Sequence, residues 1–250
     1  MMLRRIDYGD SDLIITFFTL ERGKISVIAK AAKKSKKRFA GLLELFSVLQ
    51  LVYSSGRGKG LPVLQEAALE KSFPGIRGNV EKTAYASYWA ELINAWLEEN
   101  DSQLPLYHLF EYALQALDTG VMPASGVSLI FQMRFMAMSG LGPNLSRCLG
   151  CNKTLEEMGP SPWFFVLPKG GIACSRCSCG GDKAIRLSKG TVKQLVWAAA
   201  GDLDKAGRIR FCSRAVTEGI QFMETFVPYY LGKTPRSLKF LQQIRDDSKG

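Results

Sequence analysis

The first 72 residues alternate between apolar and polar positions with the short period of β-strands. Residues 13–19 are rich in β-branched and aromatic side chains, and residues 24–30 alternate strictly after Gly23, so the two runs predict a hairpin. Three further strands are predicted at residues 1–8, 46–53 and 61–69. Because little helix lies among these five strands, they predict a small antiparallel barrel rather than a parallel sheet.

From Asn79 onwards the apolar period becomes that of an α-helix. A wide apolar stripe predicts one helix up to about Leu97, and Pro105 suits the first turn of the next, which runs to about Leu117. A third helix is predicted from about Gly126 to Ser139. Residues 148–184 have no period, and three more helices then follow, at 188–200 with Ser188 as N-cap, at 213–231 and at 234–245.

These patterns together predict an α+β protein. Residues 1–72 form a five-stranded β-barrel domain, residues 73–147 and 185–250 form an α-helical domain, and residues 148–184 are an insert that divides the helices. The chain has 250 residues, of which 46% are hydrophobic, so it can bury a core without disulfides. The longest apolar run is too short to cross a membrane, and no secretory signal is seen, so we expect a cytoplasmic protein without membrane contact.

The insert carries two Cys-x-x-Cys pairs, Cys148 with Cys151 and Cys174 with Cys177, separated by 22 residues. Each pair can present two sulfurs to one tetrahedral ion, and thiolate ligands select zinc over hard cations. We therefore expect one structural zinc ion, held by four protein ligands with no open position. The alternatives are four metal-free thiols, or Cys179 in place of Cys177 as fourth ligand. Cys212 is expected to be a buried thiol.

The formal charge is +10, and the excess lies at the two ends: residues 1–72 and 185–250 each carry +6. Six of the nine residues from Lys30 to Arg38 are cationic, directly after a predicted strand. Such charge density suits phosphate, so we expect a DNA contact formed by Lys30, Lys33, Lys34, Lys36, Lys37 and Arg38, extended by Arg57 and Lys59 on a glycine-rich turn. The alternative is a solvated loop. The neighbouring Phe39, Phe46 and Tyr53 either stack on bases or pack in the core.

Few residues suggest catalysis. The single histidine, His108, lies on a predicted helix beside Tyr107 and reads as a packing or surface residue. The chain has no nucleophile elbow, no metalloprotease motif and no acidic cluster of the two-metal type. We therefore expect no enzymatic activity.

Three segments in order resemble the RecO family of bacterial recombination mediators. The first comprises residues 4–12 and 18–24 with the cationic run; the second comprises residues 140–145 and the two cysteine pairs; the third comprises residues 230–233 and 235–241. Together they cover nearly the whole chain, and their order and spacing are more specific than any one of them. The chain begins partway into the family's usual first strand, and Ala31 stands where the family tends to have glycine.

The resemblance implies an N-terminal OB-fold, a helical domain and a zinc-binding segment. It also implies binding to single- and double-stranded DNA, annealing of complementary strands, and partnership with RecR and single-stranded-DNA-binding protein. In the RecF pathway such proteins help load RecA onto coated strands, so the protein is expected at the bacterial nucleoid. The resemblance also implies that the helical domain binds the C-terminal tail of the single-strand-binding protein, and Arg134 is our candidate for that contact.

Two other functions stay open from the sequence alone. A small barrel with a basic loop also suits RNA, which gives the alternative of a zinc-containing, non-catalytic RNA-binding protein. The third hypothesis is a thiol-dependent oxidoreductase that uses one Cys-x-x-Cys pair.

Overall fold

The computed structural model describes residues 1–35, 37–54, 60–157, 162–178 and 184–247. The strands are β1 (Met2–Tyr8), β2 (Asp12–Thr19), β3 (Gly23–Ala29), β4 (Val48–Ser54), β5 (Val63–Lys71), β6 (Trp163–Val166), β7 (Gly171–Cys174) and β8 (Ala184–Leu187). The helices are α1 (Pro74–Arg77), α2 (Val80–Trp96), α3 (Leu104–Thr119), α4 (Ala124–Met138), α5 (Lys189–Ala199), α6 (Leu203–Ala206), α7 (Ser213–Leu231) and α8 (Arg236–Asp247). The α+β class and the five N-terminal strands are thus confirmed.

The five N-terminal strands form one sheet in the order β1-β2-β3-β5-β4. Met2 at the start of β1 exchanges backbone hydrogen bonds with Phe46 and Ser47, of 3.0 and 3.1 Å, which joins the two edges of the sheet into a barrel. The barrel is not wholly antiparallel as predicted, because β3 pairs with β5 in parallel. This order and closure are those of an OB-fold. Its interior is filled from alternate positions of the strands, among them Ile15, Phe17, Ile25, Val27 and Leu64.

Contacts divide the chain into two compact units, Met1–Asp118 with Lys239–Gly250, and Thr119–Leu238. In the first unit, the ring of Phe18 on β2 meets Tyr107 on α3 edge to face, with centroids 5.4 Å apart. Gly23 begins β3 so close to the backbone of Asp101 that a Cβ there would overlap the carbonyl. These units follow contacts, whereas the predicted domain boundaries follow sequence patterns, and those boundaries stay a prediction.

The second unit is built around α4, whose residues from Gly126 to Met136 are all buried. Helices α5 and α7 pack beside it: a Cβ on Gly219 of α7 would lie 3.1 Å from Leu129 of α4 and 3.5 Å from Leu195 of α5. A three-stranded antiparallel sheet in the order β7-β6-β8 spans the insert and the residues just after it; its β6–β7 hairpin turns at Gly170, as the glycine pair before Cys174 suggests, whereas β8 was not predicted. On its central strand, Phe165 packs edge to face against Phe222 of α7. Among the described residues, no helix is long and apolar enough to cross a membrane.

Candidate metal centre and nucleic-acid interface

The four paired cysteines converge on one point in the second unit. The Sγ atoms of Cys148, Cys151, Cys174 and Cys177 all lie within 4.8 Å of one another, and none forms a disulfide. Four sulfurs around a tetrahedral ion at a metal–sulfur distance of about 2.3 Å would be about 3.8 Å apart. The cluster therefore has the dimensions of a four-thiolate metal site, although the two pairs are far apart in sequence.

Each pair sits on a tight turn. After the first pair, the N–H of Asn152 returns to the carbonyl of Cys148 at 3.0 Å, and Asn152 takes the left-handed conformation that asparagine tolerates. After β7, the N–H groups of Cys177 and Ser178 both bond the carbonyl of Cys174. Local turn geometry therefore brings the sulfurs of each pair together.

Backbone pairing brings the two turns to each other. Asn144 exchanges hydrogen bonds with Gly170 and Ile172, and the N–H of Leu149 donates to the carbonyl of Ile172 at 2.8 Å. The segment before the first cysteine pair thus lies along β7, which carries Cys174 at its end. The N–H of Cys174 also points at the sulfur of Cys148, 3.3 Å away.

Gly150, between the first two cysteines, faces the second pair. A Cβ at this position would lie 2.7 Å from Cβ and 2.9 Å from Sγ of Cys177, closer than side chains approach. Only glycine fits here without displacing a ligand, so Gly150 belongs to the site although sequence reasoning passed it over. The signal that could have found it is its place inside the Cys-x-x-Cys turn.

Peptide N–H groups favour the thiolate form of part of the cluster. Burial acts to raise the pKa of Cys148, but N–H groups of Cys151, Cys174 and Gly150 outweigh it and lower that pKa to about 6. The pKa of Cys177 is raised to about 12, chiefly by its hydrogen bond with the Cys174 side chain and then by burial. Hydrogen bonds with neighbouring thiols thus disfavour ionisation of Cys177, and a cation would let all four cysteines bind as thiolates. The donor set fits a metal ion, and the described residues place Cys148, Cys151, Cys174 and Cys177 to hold one.

The alternative ligand, Cys179, lies outside the described residues. The prediction for Cys212 is wrong, because this thiol is exposed at the N-cap of α7. An N-cap residue lies half outside its helix, so the apolar stripe of α7 does not enclose it.

The cationic run leaves β3 and is fixed against the turn between β1 and β2. The N–H of Ala31 donates to the carboxylate of Asp12 at 2.8 Å, and the N–H of Lys33 donates to the carbonyl of Ser11 at 3.0 Å. Further on, the hydroxyl of Ser35 accepts from the N–H groups of Arg38 and Phe39. The run is therefore an anchored loop, and Asp12 and Ser35 are anchors that sequence reasoning missed.

The cations of the run differ in their surroundings. The ammonium of Lys33 lies 3.0 Å from a carboxylate oxygen of Asp7, and the guanidinium of Arg38 donates to the Lys30 carbonyl at 2.6 Å and lies over the ring of Phe39. Within the described part of the run, Lys30, Lys34 and Lys37 are exposed and form no ion pair. These three are the cations freest to meet phosphate. Lys36, Arg57 and Lys59 lie outside the described residues.

The aromatic side chains near the run are mostly core residues. Phe39 and Phe46 are 4% and 2% exposed, so core packing, rather than base stacking, is their role here. Tyr53 on β4 is partly buried against the same core. The described loop therefore offers charge rather than stacking surfaces.

Arg134 on α4 is buried, with 7% of its surface exposed. Its Nε donates to the carbonyl of Ala198 at 2.9 Å, and its Nη2 donates to the carbonyls of Ala200 and Asp202 at 2.7 and 3.4 Å. The guanidinium thus satisfies carbonyl groups at the C-terminal end of α5 and in the turn that follows. Its nomination as a partner-binding residue stays a prediction.

Comparison with known proteins agrees with these features. The profile of the recombination protein O N-terminal domain matches residues 1–73, and that of the recombination protein O C-terminal domain matches residues 77–239. A DNA repair protein RecO of Desulfatibacillum aliphaticivorans is 44% identical over 246 residues, which cover 98% of this chain and 95% of that protein. A DNA repair protein RecO of Desulfosudis oleivorans is 42% identical over 250 residues, covering 98% and 96%.

Proposed function

Since this chain belongs to the recombination protein O (RecO) family of DNA repair proteins, we propose that it binds DNA and anneals complementary strands during recombinational repair. In this role it acts in the RecF pathway, without catalytic turnover, and helps load RecA onto single strands coated by single-stranded-DNA-binding protein. RecR and the C-terminal tail of the single-strand-binding protein are its proposed protein partners, and the bacterial nucleoid is its proposed place of action.

The observation that carries this proposal is the anchored loop at residues 30–38, which holds exposed cations at the end of a barrel strand. An anchored backbone keeps several cations close together, and phosphate attraction depends on such charge density. Lysines supply charge without the bidentate geometry that reads bases, so the loop suits contact with any sequence. Annealing needs the same property, because positive charge reduces the repulsion between two strands.

The salt dependence of DNA binding tests this assignment. Replacement of Lys30, Lys34 and Lys37 by alanine should flatten the slope of log affinity against log salt on single-stranded DNA by at most about 2, from about 0.7 per phosphate contact. Annealing of complementary oligonucleotides should slow in parallel. Circular dichroism checks folding, and no buried apolar group is removed.

A charge-matched control separates local contact from net charge. Arg22, Arg77 and Arg147 are exposed and lie elsewhere on the chain, so their triple alanine variant loses the same charge and should keep the wild-type slope. Equal slopes for the wild type and the lysine variant would contradict the assignment. Competition between DNA and RNA single strands of the same sequence at fixed salt tests the alternative of an RNA-binding protein.

We also propose that the four-cysteine cluster holds one structural zinc ion. Zinc would supply the charge that lets four thiolates lie together, and would thereby order the turns that carry them. Cys148→Ser should lose about one zinc ion per chain, measured by elemental analysis of the purified protein. Cys212→Ser, at an exposed cysteine outside the cluster, should keep it. Unchanged zinc content in Cys148→Ser would remove this residue from the ligand set.

The proposed contact of Arg134 with the C-terminal tail of the single-strand-binding protein has its own test. Because the guanidinium already bonds three carbonyl groups, its replacement should lower stability whether or not the tail binds there. Arg134→Lys should therefore be compared with wild type by titration of a tail peptide at a temperature where both are folded. If Arg134→Lys binds the peptide as tightly as wild type does, Arg134 stabilises the fold and does not contact the tail.

A further inference from the structure

The strongest unassigned feature of the second unit is an exposed tryptophan on α5. This helix buries Thr191, Val192, Leu195 and Ala198. At about 100° per residue, Trp197 and Lys193 lie on the opposite face. Trp197 is 60% exposed, whereas Trp89 and Trp163 are 0% and 1% exposed. A large exposed aromatic ring can act as a stacking surface for a base when positive charge lies beside it.

The surroundings of this ring are cationic. Residues 186–214 carry seven basic and two acidic side chains, a net charge of +5. Lys193 lies one helical turn before Trp197, and Arg208 and Arg210 are exposed in the loop between α6 and α7. Three acidic groups pair with these cations: Glu156 lies 3.8 Å from Lys193, Asp202 lies 3.7 Å from Lys205, and Glu218 lies 2.7 Å from Arg214. With Glu156 and Glu218 counted as well, seven basic side chains face four acidic ones, so the net charge is +3 and the surface stays positive.

The loop that carries the two arginines lies beside Trp197. The N–H of Cys212 donates to the side-chain oxygen of Gln194 at 3.2 Å, and Gln194 is three residues before Trp197 on α5. A Cβ on Gly126 of α4 would lie 3.4 Å from the ring of Phe211. Phe211 therefore faces α4, while Arg210 and Cys212 on either side of it are exposed. From these contacts, the backbone of Arg210 lies within about 20 Å of that of Trp197.

The end of α5 that carries Trp197 is also held in place by hydrogen bonds from Arg134. Arg134 holds the carbonyls of Ala198 and Ala200, which follow Trp197 directly at the end of α5. A tryptophan on a braced helix end loses little freedom when a ligand covers it, which favours binding.

We propose that Trp197, Lys193, Arg208 and Arg210 form a second single-strand binding surface, in which a base stacks on Trp197 and the cations meet flanking phosphates. Aromatic stacking beside positive charge is how proteins hold single strands without reading sequence. A ring exposed to this extent stands out from the surface rather than lining a pocket, which suits a flat base better than an enclosed apolar side chain. This inference rests on the proposed function, because an annealing protein gains from holding two strands at once.

Intrinsic fluorescence and labelled-oligonucleotide binding test the proposal on the full chain. A short oligothymidylate should quench tryptophan emission in wild type, and Trp197→Phe should lose most of that quenching while retaining affinity. Trp197→Ala should bind at least about fivefold more weakly, the lower end of what one stacked base contributes. Val121→Ala, at a 69% exposed position of the same unit, is the matched control and should bind as wild type.

The cationic part has a separate readout. Arg208→Ala with Arg210→Ala should flatten the salt slope on single strands by about 1.4, and this loss should add to that of the Lys30, Lys34 and Lys37 variant. The quenching of Trp197 should persist in the lysine variant.

Three results would overturn the inference: unchanged affinity in Trp197→Ala, quenching by an acidic peptide but not by oligothymidylate, or a concentration-dependent change of Trp197 emission without DNA, which indicates a second copy of the chain. If wild type itself neither binds nor anneals DNA, the proposed function fails instead. If wild type anneals DNA and the Trp197 variants bind oligothymidylate as tightly as wild type does, the second surface is refuted and the proposed function is not.

Discussion

Replacement of Gly150 by alanine tests the metal centre without removing any of its ligands. The new Cβ would lie 2.9 Å from Sγ of Cys177, and the closest ordinary contact is 3.4 Å, so the sulfur or the turn must move by at least about 0.5 Å. Metal–sulfur distances in such sites vary by only about 0.2 Å. The methyl group therefore cannot be accommodated while Cys177 keeps its place around an ion.

The expected loss of zinc affinity in Gly150→Ala follows from the effect of comparable changes near metal ligands. Changes beside a ligand lower metal affinity by about 10- to 100-fold, or about 1.4–2.8 kcal/mol. We expect Gly150→Ala to fold at saturating zinc and to release the ion to a chelator at correspondingly lower chelator concentrations. Competition with a chromogenic zinc chelator measures this directly.

Gly190→Ala is the matched control, because a Cβ at this position on α5 meets nothing within 4 Å. It should keep wild-type zinc affinity. If Gly150→Ala resists the chelator as wild type does, the reasoning from its contact with Cys177 is refuted, unless Cys179 has replaced the displaced ligand. The double variant Gly150→Ala/Cys179→Ser decides between these outcomes: a zinc affinity still equal to wild type completes the refutation.

Three further predictions concern stability. Ala31 adopts φ 53°, where alanine is strained by about 1–2 kcal/mol, so Ala31→Gly should raise the free energy of unfolding in urea by about 0.5–1 kcal/mol after the unfolded-state entropy of glycine is subtracted; a decrease would contradict this. Burial acts to raise the pKa of Glu218, but hydrogen bonds from Thr191, Arg214 and Ser188 lower it to about 2. The ionised carboxylate therefore stabilises the folded state by at most about 3 kcal/mol. This contribution is complete above about pH 5 and disappears as the pH falls towards 2. Glu218→Gln should remove that part of the acid dependence, and an unchanged stability–pH curve would show that the carboxylate is not so coupled. Arg134→Met leaves carbonyls at the end of α5 without their donor and should lower the free energy of unfolding by about 3 kcal/mol. A melting temperature equal to that of wild type would show that these hydrogen bonds do not stabilise the fold.

Local periodicity allowed most regular elements to be predicted. The alternation of residues 24–30 became β3, and Ser188 caps α5 by accepting from the N–H of Thr191. The apolar stripe of α2 is buried in its middle, but Val80 at its start is 62% exposed. The turns that present the cysteine pairs are local as well, which is why spacing predicted that the two sulfurs within each pair lie together.

Long-range pairing was beyond sequence reasoning. The parallel contact of β3 with β5 joins strands separated by β4, and the short strands β6, β7 and β8 carry too few residues for a period to appear. The same limit applies to the metal site, because the approach of Cys148 to Cys174 depends on the pairing of the preceding segment with β7.

The sequence by itself determined the kinds of chemistry in this protein: thiolates in two close pairs, a dense cationic run, and a barrel followed by helices. Only the tertiary structure decided which of these groups are free to act. It pairs Lys33 with Asp7 and leaves Lys34 exposed, and it buries Arg134 while it leaves Trp197 in water. The physical reason is that a residue's chemistry and its helical or strand period are fixed by near neighbours, whereas its burial and partners are set by segments distant along the chain.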